Sequence, residues 1–325
     1  MIDNILITGG AGYIGSVLVS SLLNKGYKVT VVDLMIYGEN TLRSHPNLTI
    51  LNMDIRDSAI KKVLEDIDVV FHLAGVSNDP GQGIDSKTGL EINYYATERI
   101  FSYCEELNIK KFIYPSSCSI YGEASKAVVD ENSIPNPLTS YAKCKVLCEK
   151  TILKSKKSSL TKVIIRPATV YGISPRQRFD LLVNGFVNEA FNKRVIQVKG
   201  PKRIRPTVHI NDLVSLYTEL LDMPSTLIDG QVFNVAFENR TVRKTAEIIA
   251  DLIGQDVSLN LLEGNDCRSY QVDSSKLTDI IKFKPKSTIL NGAQEIINQF
   301  NSNRYTESFT NSLYHNRLRQ PLYLV

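Results

Sequence analysis

Short apolar runs alternate with longer segments of helical periodicity through the first half of this chain. The apolar runs are NILIT, KVTVVD, LTILNMD, DVVFHLA, KFIYPSS and KVIIRPA. Helices are predicted between them up to residue 25, around 57–65, and across 87–107 and 138–153. Parallel strands need such helical crossovers, and strands that are apolar throughout are buried on both faces. The sequence therefore predicts an α/β fold built on a Rossmann-type doubly wound parallel sheet.

The regular alternation of apolar runs and helical segments stops after RPATVYG, which ends at Gly172. The later strand QVFNVA, from Gln231 to Ala236, is expected to return to the first sheet. Further helices are predicted at about 180–192, 211–222, 241–254 and 291–300. We predict a Rossmann domain and a smaller α/β substrate-binding domain, with bounds of 1–178 plus about 207–237 for the first, and 179–206 and 238–325 for the second. The last 20 or so residues are expected to pack on the surface as an arm.

The composition excludes several classes of protein. Of the 325 residues, 43% are hydrophobic and 22% are charged, as in a globular protein with a sizeable core. The net charge of +4 is too small and too dispersed for a nucleic-acid groove. No apolar run reaches the roughly 18 residues of a membrane span, and the chain enters a strand pattern at once, so we expect neither a membrane nor secretion. The 5 cysteines lack close CxxC pairs, which favours a reducing, cytoplasmic location without disulfides or a metal.

The stretch ITGGAGYIG follows the first strand directly and opens a helix. Its glycines, Gly9, Gly12 and Gly15, let the backbone turn tightly and approach a pyrophosphate closely. The free N–H groups and the positive end of the helix balance the phosphate charge. This context predicts a dinucleotide site formed by these glycines together with Tyr13 and Ile14.

Acidic positions follow at the ends of the next strands. Asp33 ends the second strand, 18 residues after Gly15, and can accept hydrogen bonds from both hydroxyls of an adenosine ribose. Because its charge would repel a 2′-phosphate, we predict NAD as the cofactor in preference to NADP. Asp54 and Ile55 end the third strand and are expected to border the adenine.

Tyr141 and Lys145 stand four residues apart in SYAKCK, within a predicted helix. A free phenol has a pKa near 10, which is too high for a base at neutral pH. Side chains four residues apart on a helix lie within roughly 6 Å, so the lysine ammonium would favour the phenolate. A nearby oxidised nicotinamide would add positive charge, and Tyr141 could then act as a general base. The same spacing is common in purely structural helices, so it does not decide the role alone.

Six motifs, TGGAGYIG, DIRD, HLAG, PSSCSIYG, SYAKCK and RPATVYG, stand in an order and spacing that resemble those of the extended short-chain dehydrogenase/reductases. Within that group the chain is similar to the NAD-dependent epimerase/dehydratase family, which acts on nucleotide sugars. The resemblance covers essentially the whole chain. It implies that Tyr141 is the acid/base, that Lys145 binds the nicotinamide ribose and that Ser117 binds the reacting hydroxyl. It also places Leu73 and Ala74 of HLAG in the cofactor site.

The reaction implied by the resemblance is hydride transfer to NAD from a sugar carbon, predicted to be C4, while Tyr141 removes the hydroxyl proton. Related dehydratases place an acid where this chain has Cys118 and Ser119, so a 4,6-dehydratase is disfavoured, although Glu123 is close by. A 4-epimerase and a net C4 dehydrogenase both stay open, with a 4-ketoreductase as a further alternative. VSNDPG and SPRQRFDLLVN resemble a subset from bacterial surface-polysaccharide pathways.

The resemblance also implies a nucleotide-diphosphate sugar as substrate. Arg205 and Arg268 would bind its diphosphate, and Asn184 would contact the diphosphate or the sugar. Arg176 and Arg178 could lie at the nucleotide end of the site or could be exposed.

The resemblance also bears on assembly and on a rival function. Helices corresponding to 87–107 and 138–153 form a dimer interface in the family, which implies a homodimer. A rival class is an NAD-binding sensor or assembly protein without turnover. Such proteins would typically have lost the tyrosine, the lysine or the hydroxyl residue, and all three are present here.

Overall fold

The structure is a computed structural model that describes residues 2–77, 86–155, 159–264 and 268–316. Residues 78–81 of VSNDPG and the last nine residues of the predicted arm lie outside these ranges. The strands are β1 (Asn4–Thr8), β2 (Lys28–Asp33), β3 (Leu48–Asn52), β4 (Val69–His72), β5 (Lys111–Pro115), β6 (Val128–Val129), β7 (Thr161–Pro167), β8 (Thr169–Tyr171), β9 (Val195–Lys199), β10 (Ile204–His209), β11 (Gln231–Val235), β12 (Glu238–Thr241), β13 (Ser258–Leu262) and β14 (Gln271–Val272).

The α-helices are α1 (Tyr13–Asn24), α2 (Ile60–Val63), α3 (Ser86–Leu90), α4 (Ala96–Glu106), α5 (Ser140–Lys154), α6 (Leu182–Lys193), α7 (Ile210–Asp222), α8 (Ser225–Ile228), α9 (Val242–Ile253), α10 (Ser275–Ile281) and α11 (Ile289–Asn301). None of the helices in the described ranges is both long enough and apolar enough to cross a membrane.

Seven of the strands form one parallel sheet in the order β11-β7-β5-β4-β1-β2-β3. The order reverses between β1 and β4, because successive crossovers run towards one edge up to β3 and towards the other edge from β4 onwards. Open sheets of this kind bind ligands outside the carboxyl ends of the strands at such a reversal. The predicted Rossmann-type parallel sheet is confirmed.

The two faces of the sheet are covered by separate apolar clusters. Ile5 and Ile7 of β1 point into the cluster that includes α1 and α7, whereas Leu6 points into the one that includes α4 and α5. All three side chains are fully buried, which stabilises the fold by about 1.5–3 kcal/mol each. A third cluster lies between α6, α9 and α11.

The predicted helix 87–107 is interrupted in the structure. It consists of α3, the wider π-helical turn Glu91–Tyr95, and α4. Asn93 lies in this turn, and its amide bonds both the N–H (2.8 Å) and the C=O (3.0 Å) of Val76. The turn thereby fixes the loop that follows β4. The helix predicted around 57–65 is shorter than expected and is reduced to α2.

From β8 onwards the chain also forms small sheets, and one later strand joins the large sheet. β10 pairs with β8 and β12, and β9 pairs with β13. β11 lies parallel to β7 at the edge of the large sheet, as predicted for QVFNVA. The bounds of the two domains stay a prediction. The cysteines in the described ranges are buried and free of disulfides.

Candidate active site

The glycine-rich loop between β1 and α1 is closely packed. Gly9 has a φ of +73°, and a Cβ there would lie 2.7 Å from the backbone nitrogen of Ala74. A Cβ on Gly15 would lie 2.2 Å from the carbonyl oxygen of Gly9. Gly12 caps α1 without a side-chain hydrogen bond, so the cap residue does not occupy the N–H groups of the first turn. The loop therefore leaves the helix N-terminus open to an anionic ligand.

A cavity of about 410 Å³ opens at the carboxyl ends of β1, β2, β4 and β5. Its lining includes every residue predicted to bind the cofactor: Gly9, Gly12, Tyr13, Ile14, Gly15, Asp33, Asp54, Ile55, Leu73, Ala74, Tyr141 and Lys145. A volume of this order is typical of ligand and cofactor sites. The structure thus brings these residues together, while their contacts with NAD stay predictions.

The two acidic residues of this cavity are held by different partners. The carboxylate of Asp33 accepts hydrogen bonds from the N–H groups of Ala11 (3.0 Å) and Met35 (2.9 Å). Burial raises the pKa of Asp33, and these N–H groups oppose the rise. Asp54 is bound through both oxygens by Arg56, at 2.7 Å for the closest pair. Burial opposes ionisation of Asp54, but the Arg56 guanidinium outweighs it and holds the pKa below its usual value.

Ser117, Tyr141 and Lys145 meet at the end of β5. Ser117 follows β5 directly, and its hydroxyl accepts a hydrogen bond from the N–H of Ser119 (3.1 Å). Tyr141 and Lys145 lie one turn apart on α5, and the Lys145 Nζ is 5.5 Å from the centre of the Tyr141 ring. That Nζ also donates to the carbonyl of Pro115 (2.6 Å), which ties α5 to the end of β5.

The electrostatics of Tyr141 differ from the expectation drawn from its spacing to Lys145. Burial raises the pKa of Tyr141 to about 12, while the Ser117 hydroxyl and the Arg178 guanidinium lower it. Burial also lowers the pKa of Lys145 to about 8. The cation that opposes the rise in the pKa of Tyr141 is therefore Arg178, which was expected at the nucleotide end of the site or on the surface and not beside Tyr141.

A second cavity, of about 210 Å³, adjoins the first. The residues that line both are Ser117, Ser119, Pro167, Ala168 and Thr169. Arg205 and Arg268 line the second cavity, and the Arg205 guanidinium donates to the carbonyl of Arg268 (2.9 Å). The two arginines predicted to bind the diphosphate therefore lie together in the second cavity. The shared residues separate them from the first cavity.

Asn184 lies outside the linings of both cavities. Its side chain is fully buried and bonds the N–H of Gly172 (3.0 Å), the hydroxyl of Tyr13 (3.0 Å) and the carbonyl of Arg178 (2.9 Å). The Tyr13 hydroxyl in turn donates to the carbonyl of Gly172 (2.8 Å). The amide thus connects the glycine-rich loop, the end of β8 and the start of α6. Direct contact between Asn184 and a substrate stays a prediction.

Apart from Tyr141 and Lys145, the described side chains near Ser117 include no carboxylic acid and no reactive thiol. The Cys118 thiol is buried against the carbonyl of Arg166 (3.0 Å), and burial raises its pKa. Among the described residues, the carboxylates that line the larger cavity are Asp33 and Asp54, and no carboxylate lines the smaller one. No group of three or more His, Cys, Asp or Glu in the described part of the chain is placed to hold a metal ion.

Arg176 and Arg178 both line the larger cavity, and they are not exposed. Arg176 is 3% exposed, and the Arg178 side chain is 16% exposed and is paired with Asp180 (2.8 Å). Asn316, from the predicted arm, lines the same cavity. No periodic pattern or motif in the sequence points to Asn316, because it stands in a polar segment almost 140 residues after Arg178.

The parallel sheet, the open helix N-terminus and the tyrosine–lysine pair together define a dinucleotide-dependent enzyme of the Rossmann fold. A sequence profile described as the NAD dependent epimerase/dehydratase family matches residues 5–236. The chain belongs to this family. Its cavity fits NAD, because the open end of α1 suits a pyrophosphate and Asp33 stands at the end of β2 where a ribose is expected.

Individual relatives span most of the chain. An uncharacterized UDP-glucose epimerase, YtcB, of Bacillus subtilis (strain 168) is 28% identical over 310 residues, covering 89% of this chain and 95% of the relative. A dTDP-D-glucose 4,6-dehydratase of Dictyostelium discoideum is 30% identical over 257 residues, covering 72% of this chain and 58% of the relative.

A solved structure is also similar. The UDP-glucuronic acid 4-epimerase of Bacillus cereus, in complex with UDP-glucuronic acid and NAD, is 26% identical with a TM-score of 0.81, covering 92% of this chain and 99% of that one. With the family match, the predictions of an enzyme and of NAD as its cofactor are confirmed.

Proposed function

We propose that this protein is an NAD-dependent 4-epimerase of a nucleoside-diphosphate sugar. The observation that supports it most strongly is that Ser117, Tyr141 and Lys145 meet where the two cavities adjoin. A sugar in the second cavity would reach these residues while its diphosphate pairs with Arg205 and Arg268. The similar Bacillus proteins are described as epimerases, which favours this reaction.

In this reaction the site residues would move the proton and stabilise the charge that develops on the C4 oxygen. Bound NAD would supply reversible hydride transfer, accepting the hydride of C4 and giving it back to the other face of the keto sugar, and its oxidised ring would add positive charge. Tyr141 removes the proton of the C4 hydroxyl and returns it to the epimer. Ser117 donates a hydrogen bond to the same oxygen as its charge develops. Arg178 supplies positive charge that favours the phenolate over the phenol. Lys145, whose Nζ lies 5.5 Å from the centre of the Tyr141 ring, binds the nicotinamide ribose.

A dehydratase needs a carboxylic acid beside the sugar, in addition to the tyrosine, to eliminate water, and the described lining residues offer none at that end of the site. Asp33 and Asp54 lie at the predicted adenosine end, and the residues near Ser117 are a buried thiol and a serine. The Dictyostelium dehydratase shows that the family includes such enzymes. We therefore propose epimerisation and not elimination.

The test is to incubate the purified protein with GDP-, UDP-, CDP- and dTDP-sugars and to analyse products by mass spectrometry and NMR. We expect a product of unchanged mass with inverted configuration at C4, formed without an external oxidant. Loss of two hydrogens would instead identify a net dehydrogenase, and loss of water a dehydratase. No product from any sugar, with no change in the absorbance of bound NAD at 340 nm, would support a sensor or assembly protein.

A homodimer, a cytoplasmic location and a role in bacterial surface-polysaccharide biosynthesis complete the proposal. The dimer interface would use the region of α4 and α5, where Tyr95, Leu147 and Leu153 are 40–44% exposed. Burial of such apolar side chains between two copies is favourable. Sedimentation analysis is expected to give twice the chain mass of 36.4 kDa, and a monomer would contradict this part.

A further inference from the structure

A residue of the C-terminal segment reaches the cofactor cavity. Asn316 lines this cavity and is 6% exposed. Its backbone N–H donates to the carboxylate of Asp180 (3.0 Å), its side-chain oxygen accepts from the guanidinium of Arg176, and its amide nitrogen donates to the hydroxyl of Ser77. One residue thus joins the loop after β4 to the loop after β8.

Packing fixes the segment that carries Asn316. The ring of His315 bonds the carbonyl of Ser308 (2.8 Å), and the Ser308 hydroxyl donates to Asn188 on α6 (2.5 Å). The carbonyl of Tyr314 accepts from the N–H of Phe179 (3.0 Å). Aromatic rings 5.1–5.8 Å apart surround these bonds: Phe179, Phe300, Tyr305 and Tyr314. These hydrogen bonds and ring contacts therefore fix the position of Asn316.

Arg176 is the residue that Asn316 holds. Its guanidinium carbon lies 3.6 Å from the centre of the Tyr37 ring, which also lines the cavity. Although Arg176 is 3% exposed, its Nε has no hydrogen-bond partner among the described residues. Burial and the neighbouring Arg178 lower the pKa of Arg176 to about 10. Asp180 opposes this fall, but its carboxylate is already paired with Arg178. The buried guanidinium of Arg176 thus has an unused donor, which an anionic ligand would satisfy.

We propose that Arg176 is a cofactor-binding residue whose guanidinium pairs with the phosphate groups of NAD, and that Asn316 is the positioning residue that holds it. Phosphates are the only anionic groups of NAD, and the lining that contains Arg176 also contains the open N-terminus of α1. The glycine-rich loop offers N–H donors and Arg176 offers a full charge. The C-terminal segment is then part of the NAD site. This inference needs NAD binding alone and does not depend on the sugar or the reaction.

The test measures dissociation constants by titration calorimetry for NAD, ADP-ribose and adenosine, with protein freed of co-purified nucleotide. Arg176→Gln is expected to weaken NAD and ADP-ribose by about 10- to 100-fold, the range for a charged hydrogen bond, and to leave adenosine within about twofold. Arg243→Gln removes the same charge from an arginine on α9 whose side chain is 58% exposed and lies outside both cavity linings, and it should leave all three unchanged. Equal weakening of adenosine and NAD by Arg176→Gln would mean a structural role and would overturn the proposal, as would an unchanged NAD constant.

Asn316 variants keep the proposal testable if Arg176→Gln fails to fold. Asn316→Ala is expected to weaken NAD by about 3- to 10-fold, as for a neutral hydrogen bond. Asn316→Asp places a carboxylate beside Arg176, so it should compete with the phosphates and weaken NAD more than alanine does. If aspartate instead restores binding to the original level, Arg176 needs only a structural partner and the proposal is wrong.

Discussion

Tyr141→Phe is expected to lower kcat by about 10²- to 10⁴-fold, the usual contribution of a positioned acid or base. The change removes one hydroxyl from α5 and leaves the ring, the neighbouring Lys145 and its bond to Pro115 in place. NAD should therefore bind with a dissociation constant within about twofold of the original. Turnover of the nucleotide sugar and NAD titration, measured on the same preparation, check both statements.

The matched control for this variant is Tyr103→Phe. Tyr103 lies on α4 outside the linings of both cavities, and the substitution removes the same atom. It should keep full activity. If Tyr141→Phe keeps more than a tenth of the original kcat, Tyr141 is not the acid/base and the proposed chemistry fails.

Glu149→Gln is expected to lower the free energy of unfolding by about 3–5 kcal/mol, because it leaves a buried guanidinium without its counter-charge. The carboxylate of Glu149 binds Arg166 through two bonds, at 2.9 and 2.6 Å, and both side chains are only 6% exposed. Arg166 also donates to the hydroxyl of Tyr121 (2.9 Å), so the pair links α5 to the segment after Ser117. Urea unfolding followed by circular dichroism measures the loss.

Glu247→Gln is the control for the buried pair. Glu247 forms a surface ion pair with Arg243 (2.8 Å) one turn away on α9, and such pairs contribute about 0.3–0.5 kcal/mol. The two variants remove the same charge from a helix. Equal unfolding midpoints for Glu149→Gln and Glu247→Gln would show that burial of Arg166 carries no penalty.

The sequence was sufficient for the features that depend on local pattern. Apolar runs such as NILIT and KVIIRPA predict β1 and β7 because a strand buried on both faces has few polar positions. The glycine-rich loop could be placed because it follows β1 and opens α1. Tyr141 and Lys145 were found through motif order, since their spacing alone is ambiguous.

Features that depend on distant parts of the chain could not be predicted. Residue spacing carries no information about desolvation, so the raised pKa of Tyr141 and the opposing charge of Arg178 emerge only from the folded site. Asn184 was predicted to contact substrate. In the structure its amide forms hydrogen bonds with Tyr13 and Gly172, and the distance of Tyr13 in the sequence hides such bonds from any local pattern. The same holds for Asn316, which reaches the cavity by a path with no regular pattern.

The hydroxyl of Tyr13 has a consequence for how the chain is made. It belongs to the first fifteen residues, yet its partners, the carbonyl of Gly172 and the amide of Asn184, come from the second half of the chain. During synthesis from the N-terminus, the Tyr13 hydroxyl can form these two hydrogen bonds only after both partners have left the ribosome. A fragment that stops before β8 would hold the strands of the large sheet up to β7 but would lack both partners of the Tyr13 hydroxyl.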